Sequence, residues 1–91
     1  MNLEQTPLFK RNYKKLHANQ QKCVKEEIKK IVADPTIGEE KKQDLAGIFV
    51  HKFMMTNQLY LLAYSFDPVT MKLIMLGVHE NFYRDLKGYI H

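Results

Sequence analysis

The sequence contains a single cysteine, Cys23, and lacks any apolar run near the roughly 18 residues that a membrane span needs. One thiol can form neither an internal disulfide nor a thiolate metal site, which is typical of a protein in a reducing cytoplasm. No basic and then apolar leader opens the chain, so we expect neither secretion nor membrane insertion. These absences favour a cytoplasmic location.

Signals for a bound metal or cofactor are also missing. The four histidines show neither an HxH nor an HxxxH spacing, and the four glycines stand apart rather than in a phosphate-binding loop. We therefore expect no metal and no cofactor. What remains is side-chain acid–base catalysis, or binding without chemistry.

The composition that is present predicts one small folded domain over residues 1–91. Its residues are 45% hydrophobic and 11% aromatic, and 14 Lys plus Arg stand against 10 Asp plus Glu. Clustered cations attract phosphate backbones or an acidic partner, although an amphipathic helix also needs a solvated face. The candidate RNA-binding residues are Lys10, Arg11, Lys14, Lys15 and, near the C-terminus, Lys87.

The N-terminal third predicts a helical hairpin. Residues 8–16 carry apolar side chains at helical spacing behind Pro7, which suits a first turn. A second apolar stripe, for which Asn19 is the expected cap, continues to residue 33 and is ended by Pro35. Both stripes must face one core.

The rest of the chain changes to a β pattern after a polar segment, residues 34–47, that we interpret as a loop. Turn-type residues separate three strand-length runs, which indicates an antiparallel meander. The runs are residues 48–55, 58–66 and 71–78. We predict an α+β fold, a small two-layer domain with the hairpin on the meander, a short edge strand at residues 3–5 and a C-terminal helix from about Glu80.

The strand runs are apolar on both faces. A two-residue turn at Thr56-Asn57 sets Phe53 opposite Tyr60 and His51 opposite Leu62, and successive residues point to opposite sides. A strand that is apolar on both sides implies a sheet covered on both faces. The hairpin covers one face, so either the short terminal helix or a partner chain must cover the other. On the face that carries Phe53 and His51 we also place Leu73 and Met75, and on the opposite face Ile74 and Leu76.

The stretch "GVHENFYRDLK", residues 77–87, is dense in side chains that exchange protons or carry charge. On a helix starting near residue 79, His79, Tyr83 and Lys87 would line one ridge. With Lys52 and Arg84 nearby, such a set can cleave RNA without a metal, because the ribose 2′-hydroxyl is the nucleophile. Spacing alone favours the other interpretation, in which the ridge is the solvated outer side of a terminal helix.

The order of these elements resembles the RelE/ParE superfamily of bacterial type II toxin–antitoxin toxins. The resemblance spans nearly all 91 residues. It rests on the "FKRNYKKL" opening of the first helix, the "DP" and glycine after the second, "LAG" before the sheet, "LLAY" in the middle strand and the terminal "GVHENFYR".

The resemblance implies a toxin that a cognate antitoxin wraps and inhibits. In the RelE-like branch it implies a ribosome-dependent mRNA endoribonuclease, with His79, Tyr83, Lys52 and Arg84 as catalytic residues. Leu61 and Val50 depart from this branch, because relatives often carry basic residues there. The ParE-like branch instead implies a DNA gyrase inhibitor without nuclease activity, and a non-toxic antitoxin-binding module is a third alternative.

Overall fold

The computed structural model describes residues 1–90 and contains, within them, a five-stranded sheet and three α-helices. No helix in that range is both long and apolar enough to cross a bilayer. The strands are β1 (Asn2–Gln5), β2 (Glu39–Glu40), β3 (Phe49–Met55), β4 (Gln58–Phe66) and β5 (Thr70–Val78). The helices are α1 (Pro7–Lys14), α2 (Ala18–Ala33) and α3 (Phe82–Ile90), and 3₁₀ turns span Pro35–Ile37 and Gln43–Leu45.

The sheet order is β1-β5-β4-β3-β2. The predicted meander is confirmed, with Phe53 paired to Tyr60 and His51 to Leu62. The predicted edge strand is also confirmed, and because β1 runs parallel to β5 the sheet is mixed. The prediction of a plain loop over residues 34–47 was wrong, since Glu39 and Glu40 pair with Val50 and Phe49.

Side chains fix the start of each hairpin helix. The Thr6 hydroxyl accepts a hydrogen bond from the Phe9 amide at 3.0 Å and donates one to the Ile74 carbonyl at 2.6 Å, so it both caps α1 and ties it to β5. The α2 cap is His17 rather than the predicted Asn19. The Gln20 side chain accepts from the His17 amide at 2.9 Å, which starts the helix earlier than Asn19 would.

Apolar clusters lie on both faces of the sheet, as the strand pattern predicted. The hairpin face buries Phe9, Val24 and Ile31 from the helices against β3, β4 and β5. The other face, which we call the α3 face, buries Phe82 and Leu86 from α3 against the sheet. The cluster of the α3 face is completed by Leu45, Ile48, Val50, Leu61, Ala63, Ile74 and Met75.

A β-bulge changes the faces of two β5 residues. The register shifts between Ala63 and Tyr64, so that Ala63 pairs with Met75 while Tyr64 pairs with Leu73. Leu76 therefore lies on the hairpin face and Met75 on the α3 face, the reverse of the simple alternation. The side chain of Asn12 accepts from the Leu76 amide at 3.1 Å, next to the bulge.

Gly38 leaves room for the Tyr64 hydroxyl. This hydroxyl donates to the Pro35 carbonyl at 2.6 Å and accepts from the Gly38 amide at 3.1 Å, and a Cβ on Gly38 would lie 2.5 Å from it. We expect Gly38→Ala to lower the free energy of unfolding by about 1–3 kcal/mol through overpacking. Urea denaturation measures the loss. In the Tyr64→Phe background, which lacks the clashing oxygen, Gly38→Ala should cost less, and an equal loss in both backgrounds would contradict the steric explanation.

Glu27 of α2 anchors the helix to β3. Its carboxylate lies 2.8 Å from the His51 imidazole and 2.9 Å from the Lys30 ammonium. Burial alone would raise the pKa of Glu27, but the hydrogen bonds from His51 and Lys30 lower it below its ordinary value of 4.5.

A carboxyl group with a depressed pKa in the folded state stabilises the protein above its unfolded pKa, and this contribution disappears as the pH falls through the folded pKa. We therefore expect Glu27→Gln to lower the stability measured by thermal unfolding at pH 7. Below about pH 4.5 the stability of this variant should fall less steeply with pH than that of the parent. The exposed Glu26→Gln is the matched control. If the stability of Glu27→Gln fell with pH below about 4.5 as steeply as that of the parent, this assignment would be contradicted.

Candidate functional site

Part of the α3 face remains open to solvent. Val50, Lys52 and Met54 alternate along β3 toward this face. Val50 is buried, whereas Lys52 is exposed and Met54 is 63% exposed near the β3–β4 turn. The helix thus covers one end of the face, and its open end combines an apolar surface with a cation.

Tyr83 lies on α3, half-buried against the cluster of the α3 face. Its ring meets Phe82 edge-on, with centroids 5.6 Å apart, and the Lys41 ammonium lies over the ring, 4.8 Å from its centroid. The phenolic oxygen is shut from solvent, and among residues 1–90 it has no hydrogen-bond partner. The ammonium thus contacts the face of the ring.

Lys41 is held in this position by Glu39, the first residue of β2, through an ion pair. The hydrogen bond to the Glu39 carboxylate raises the pKa of Lys41 against the opposing effect of burial, and the phenol adds to the rise. In return Lys41, with a smaller contribution from Lys52, lowers the pKa of Glu39. The charged forms of both partners are thus favoured beside Tyr83.

A concave site, which we call the Tyr83 pocket, lies between α3 and the segment that follows β2. It has a volume of about 240 Å³. Its ionisable residues other than Tyr83 are three lysines and one carboxylate. The lining residues are Lys41, Lys42, Gln43, Asp44, Leu45, Tyr83 and Lys87. The prediction that Tyr83 and Lys87 lie together is confirmed.

The predicted ridge does not include His79, because α3 begins only at Phe82. The His79 amide donates to the Leu59 carbonyl at 2.9 Å, which extends the β4–β5 pairing, and Asn81 then takes a left-handed conformation at φ 62° before the helix. Because Gly77 pairs with Leu61, continuing the ladder sets exposed His79 opposite Leu59. It lies at the open end of the α3 face, apart from the Tyr83 pocket.

The other two predicted catalytic residues, Lys52 and Arg84, lie in different places. Lys52 pairs with Leu61 in the sheet and is close enough to Glu39 to affect its pKa. The Arg84 side chain is 75% exposed, 3.8 Å from the Asp85 carboxylate, and does not line the Tyr83 pocket. A helix turns about 100° per residue, so Arg84 and Tyr83 cannot point the same way.

The four N-terminal cations predicted to bind RNA lie away from this pocket. Lys10, Arg11, Lys14 and Lys15 are exposed on α1 and just after it. On the α1 side of α3, Asp85 and Tyr89 line a separate groove with Leu8 and Asn12. Lys87 is therefore the only member of the predicted RNA-binding set among the residues that line the Tyr83 pocket.

Sequence reasoning missed Glu39, Lys41 and Lys42. They belong to a run of charged residues that has no periodicity, and only the two-residue pairing of β2 with β3 carries them to α3. No local pattern could have indicated this. Within residues 1–90, no group of three His, Cys, Asp or Glu side chains is placed to hold a metal ion.

The sequence matches a known family. Residues 3–87 match the model of the ParE-like toxins of type II bacterial toxin–antitoxin systems, and the chain belongs to that family. The predicted membership of the RelE/ParE superfamily is thereby confirmed. No curated protein matched the sequence.

Solved toxin structures share the fold at low sequence identity. A free-state E. coli RelE variant with two arginines replaced by alanine is 17% identical, with a TM-score of 0.74 over 97% of this chain and 93% of that one. A chain of the intact E. coli RelBE toxin–antitoxin complex is 18% identical, with a TM-score of 0.69 over 87% and 96%. A YoeB/ParE toxin from Agrobacterium tumefaciens is 19% identical, with a TM-score of 0.67 over 87% and 99%.

Proposed function

We propose that this toxin is a metal-independent, ribosome-dependent endoribonuclease that cuts mRNA in the cytoplasm and so arrests translation and growth. The observation that carries the proposal is the Tyr83 pocket, where a phenol is surrounded by lysines. The strand register places His79 and Lys52 on the α3 face as well, so an imidazole and a further cation lie on the same partly open surface.

The reaction requires proton transfer at two oxygens. A base removes the proton of a ribose 2′-hydroxyl, whose oxygen attacks the adjacent phosphorus. The bond from phosphorus to the 5′-oxygen then breaks, an acid protonates that oxygen, and the products are a 2′,3′-cyclic phosphate and a free 5′-hydroxyl. We assign one proton transfer to Tyr83 and the other to His79, which lies at the open end of the same face, so the bound RNA would have to lie between the two side chains.

Cations stabilise the additional negative charge of the phosphorane. Lys52 lies on the sheet beside Glu39, and exposed Arg84 extends from the helix that carries Tyr83. We assign Lys52 to the reacting phosphate. Arg84 and the cations of α1 are assigned to the RNA backbone and its ribosomal surroundings, because they lie outside the pocket.

A cognate antitoxin is the proposed inhibitor. RelE occurs in a complex with its antitoxin, and this chain has exposed apolar side chains for a partner to cover. Met54 is 63% exposed at the open end of the α3 face, and Leu3 is 47% exposed on the edge strand. An antitoxin chain that covers the α3 face would also block the site.

Primer extension on mRNA translated by purified ribosomes tests the proposal. Adding the protein should produce breaks at defined codon positions, with 2′,3′-cyclic phosphate ends and without a metal requirement. A chelator selective for transition metals, added while the Mg²⁺ that ribosomes need is held constant, tests whether cleavage requires a bound transition metal. Intact mRNA with unaffected translation would contradict the proposal.

Inhibition of DNA gyrase is a second candidate because two positions often basic in RelE-like toxins are apolar here. Leu61 is fully buried and Val50 is 1% exposed, both within the cluster of the α3 face. A supercoiling assay with purified gyrase distinguishes the candidates. Inhibited supercoiling with uncut mRNA would favour this second function.

A further inference from the structure

Charge in the Tyr83 pocket favours an anionic ligand. Lys41, Lys42 and Lys87 converge there from two separate parts of the chain, and Asp44 is the one carboxylate in the lining. Outside the lining, the Glu39 carboxylate pairs with Lys41 and is itself largely exposed. A cavity of about 240 Å³ can admit a phosphate group and part of a sugar.

The Tyr83 hydroxyl lacks the partner that a buried phenol normally has. Its oxygen is inaccessible to solvent and makes no hydrogen bond within residues 1–90. A buried hydroxyl without a partner is unfavourable and needs an explanation. A lysine ammonium cannot accept the hydrogen of the hydroxyl, so a hydrogen bond donated by Tyr83 needs another acceptor, and an anion is the acceptor that the surrounding cations favour.

Lys41 connects these two observations. Its side chain is 21% exposed and lies over the Tyr83 ring, and its ion-pair partner Glu39 is 65% exposed on a two-residue strand. Ion pairs with an exposed partner are weak, so a bound phosphate can compete with Glu39 for the ammonium. Moving the ammonium off the ring would open the hydroxyl to the same phosphate.

We propose that the Tyr83 pocket binds a phosphate group of single-stranded RNA, which draws Lys41 away from Glu39 and accepts the hydrogen bond that the Tyr83 hydroxyl lacks. Lys41 is then a substrate-binding residue that shields Tyr83 in the free toxin. Lys42 and Lys87 flank the phosphate. The choice of RNA as the source of the phosphate rests on the proposed function.

Binding of a short 2′-O-methylated oligoribonucleotide tests this proposal without cleavage, since its 2′-oxygen has no proton to lose. In NMR titrations of the whole chain, the Tyr83 ring signals and the amides of residues 41–45 should shift first. Lys41→Met should weaken binding about tenfold, the effect of losing one hydrogen bond to a charged group, while Lys41→Arg retains most of it. For Lys41→Met, the plot of the logarithm of the association constant against the logarithm of the salt concentration should be less steep by about 0.7.

Lys22→Met is the matched control, because it removes the same charge from an exposed position on α2, outside the pocket. It should change binding less than about twofold, as expected for screened long-range charge. Equal weakening by Lys41→Met and Lys22→Met in equally folded variants would overturn the proposal. So would shifts at Tyr83 caused by an acidic peptide but not by the oligoribonucleotide.

The two proposals fail separately. If the parent cuts mRNA while Lys41→Met binds and cuts like Lys22→Met, the proposed function stands and the phosphate pocket is wrong. If the oligoribonucleotide binds at Tyr83 with the expected Lys41 dependence but mRNA stays intact on ribosomes, the pocket stands and the nuclease assignment is wrong.

Discussion

Tyr83→Phe is expected to lower the rate of mRNA cleavage on ribosomes by about 10²–10⁴-fold, the usual contribution of one acid–base group. The change removes only the phenolic oxygen. Since that oxygen makes no hydrogen bond within residues 1–90, the free energy of unfolding should stay within about 0.5 kcal/mol of the parent value or rise slightly. Single-turnover primer extension and urea denaturation measure the two effects.

Tyr89→Phe is the matched control for this change. It removes the same atom from an exposed tyrosine, 46% accessible, on the same helix. Its cleavage rate should equal that of the parent. If Tyr83→Phe cut mRNA as fast as Tyr89→Phe, Tyr83 would have no part in proton transfer.

Phe82→Ala is expected to produce the largest loss of stability among the changes considered, about 3–5 kcal/mol. Phe82 is 1% exposed and packs over Gly77, where a Cβ added to the glycine would lie 3.6 Å from the ring. Only Phe82 and Leu86 are buried along α3, so losing one of them removes much of the attachment of the helix. The total free energy of unfolding of a small domain is about 5–15 kcal/mol.

Detachment of α3 should also abolish cleavage, because the helix positions Tyr83 and Lys87. Tyr89→Ala, an exposed position on the same helix, should cost no more than about 0.5 kcal/mol. Circular dichroism and thermal unfolding of both variants check the comparison. Similar stability of Phe82→Ala and Tyr89→Ala would contradict the role of Phe82 as the anchor.

Most of the fold could be predicted because its patterns are local. The turn at Thr56-Asn57 and the alternation around it set the β3–β4 register, which the structure matches pair for pair. The bulge opposite Ala63 could not be predicted, since Thr6 and Asn12 satisfy backbone groups of β5 from far along the chain. The faces of Met75 and Leu76 were therefore reversed.

The candidate site was only partly predictable for the same reason. Helical spacing was enough to bring Tyr83 and Lys87 together. It failed for His79, because β5 pairing continues past Val78 and Asn81 delays the helix. Lys41 depends on β2, whose two residues form a strand only when β3 is beside them. Long-range pairing thus decides which cation meets the phenol.

Pulse labelling after induction tests most directly whether this toxin acts on mRNA. Cells that express the chain without an antitoxin are labelled separately for protein and DNA synthesis, with Tyr83→Phe expressed at the same level in parallel. We expect protein synthesis to stop first in the parent, together with codon-linked breaks in mRNA, and to continue in Tyr83→Phe. DNA synthesis stopping first, with intact mRNA and no effect of Tyr83→Phe, would contradict the proposed nuclease function.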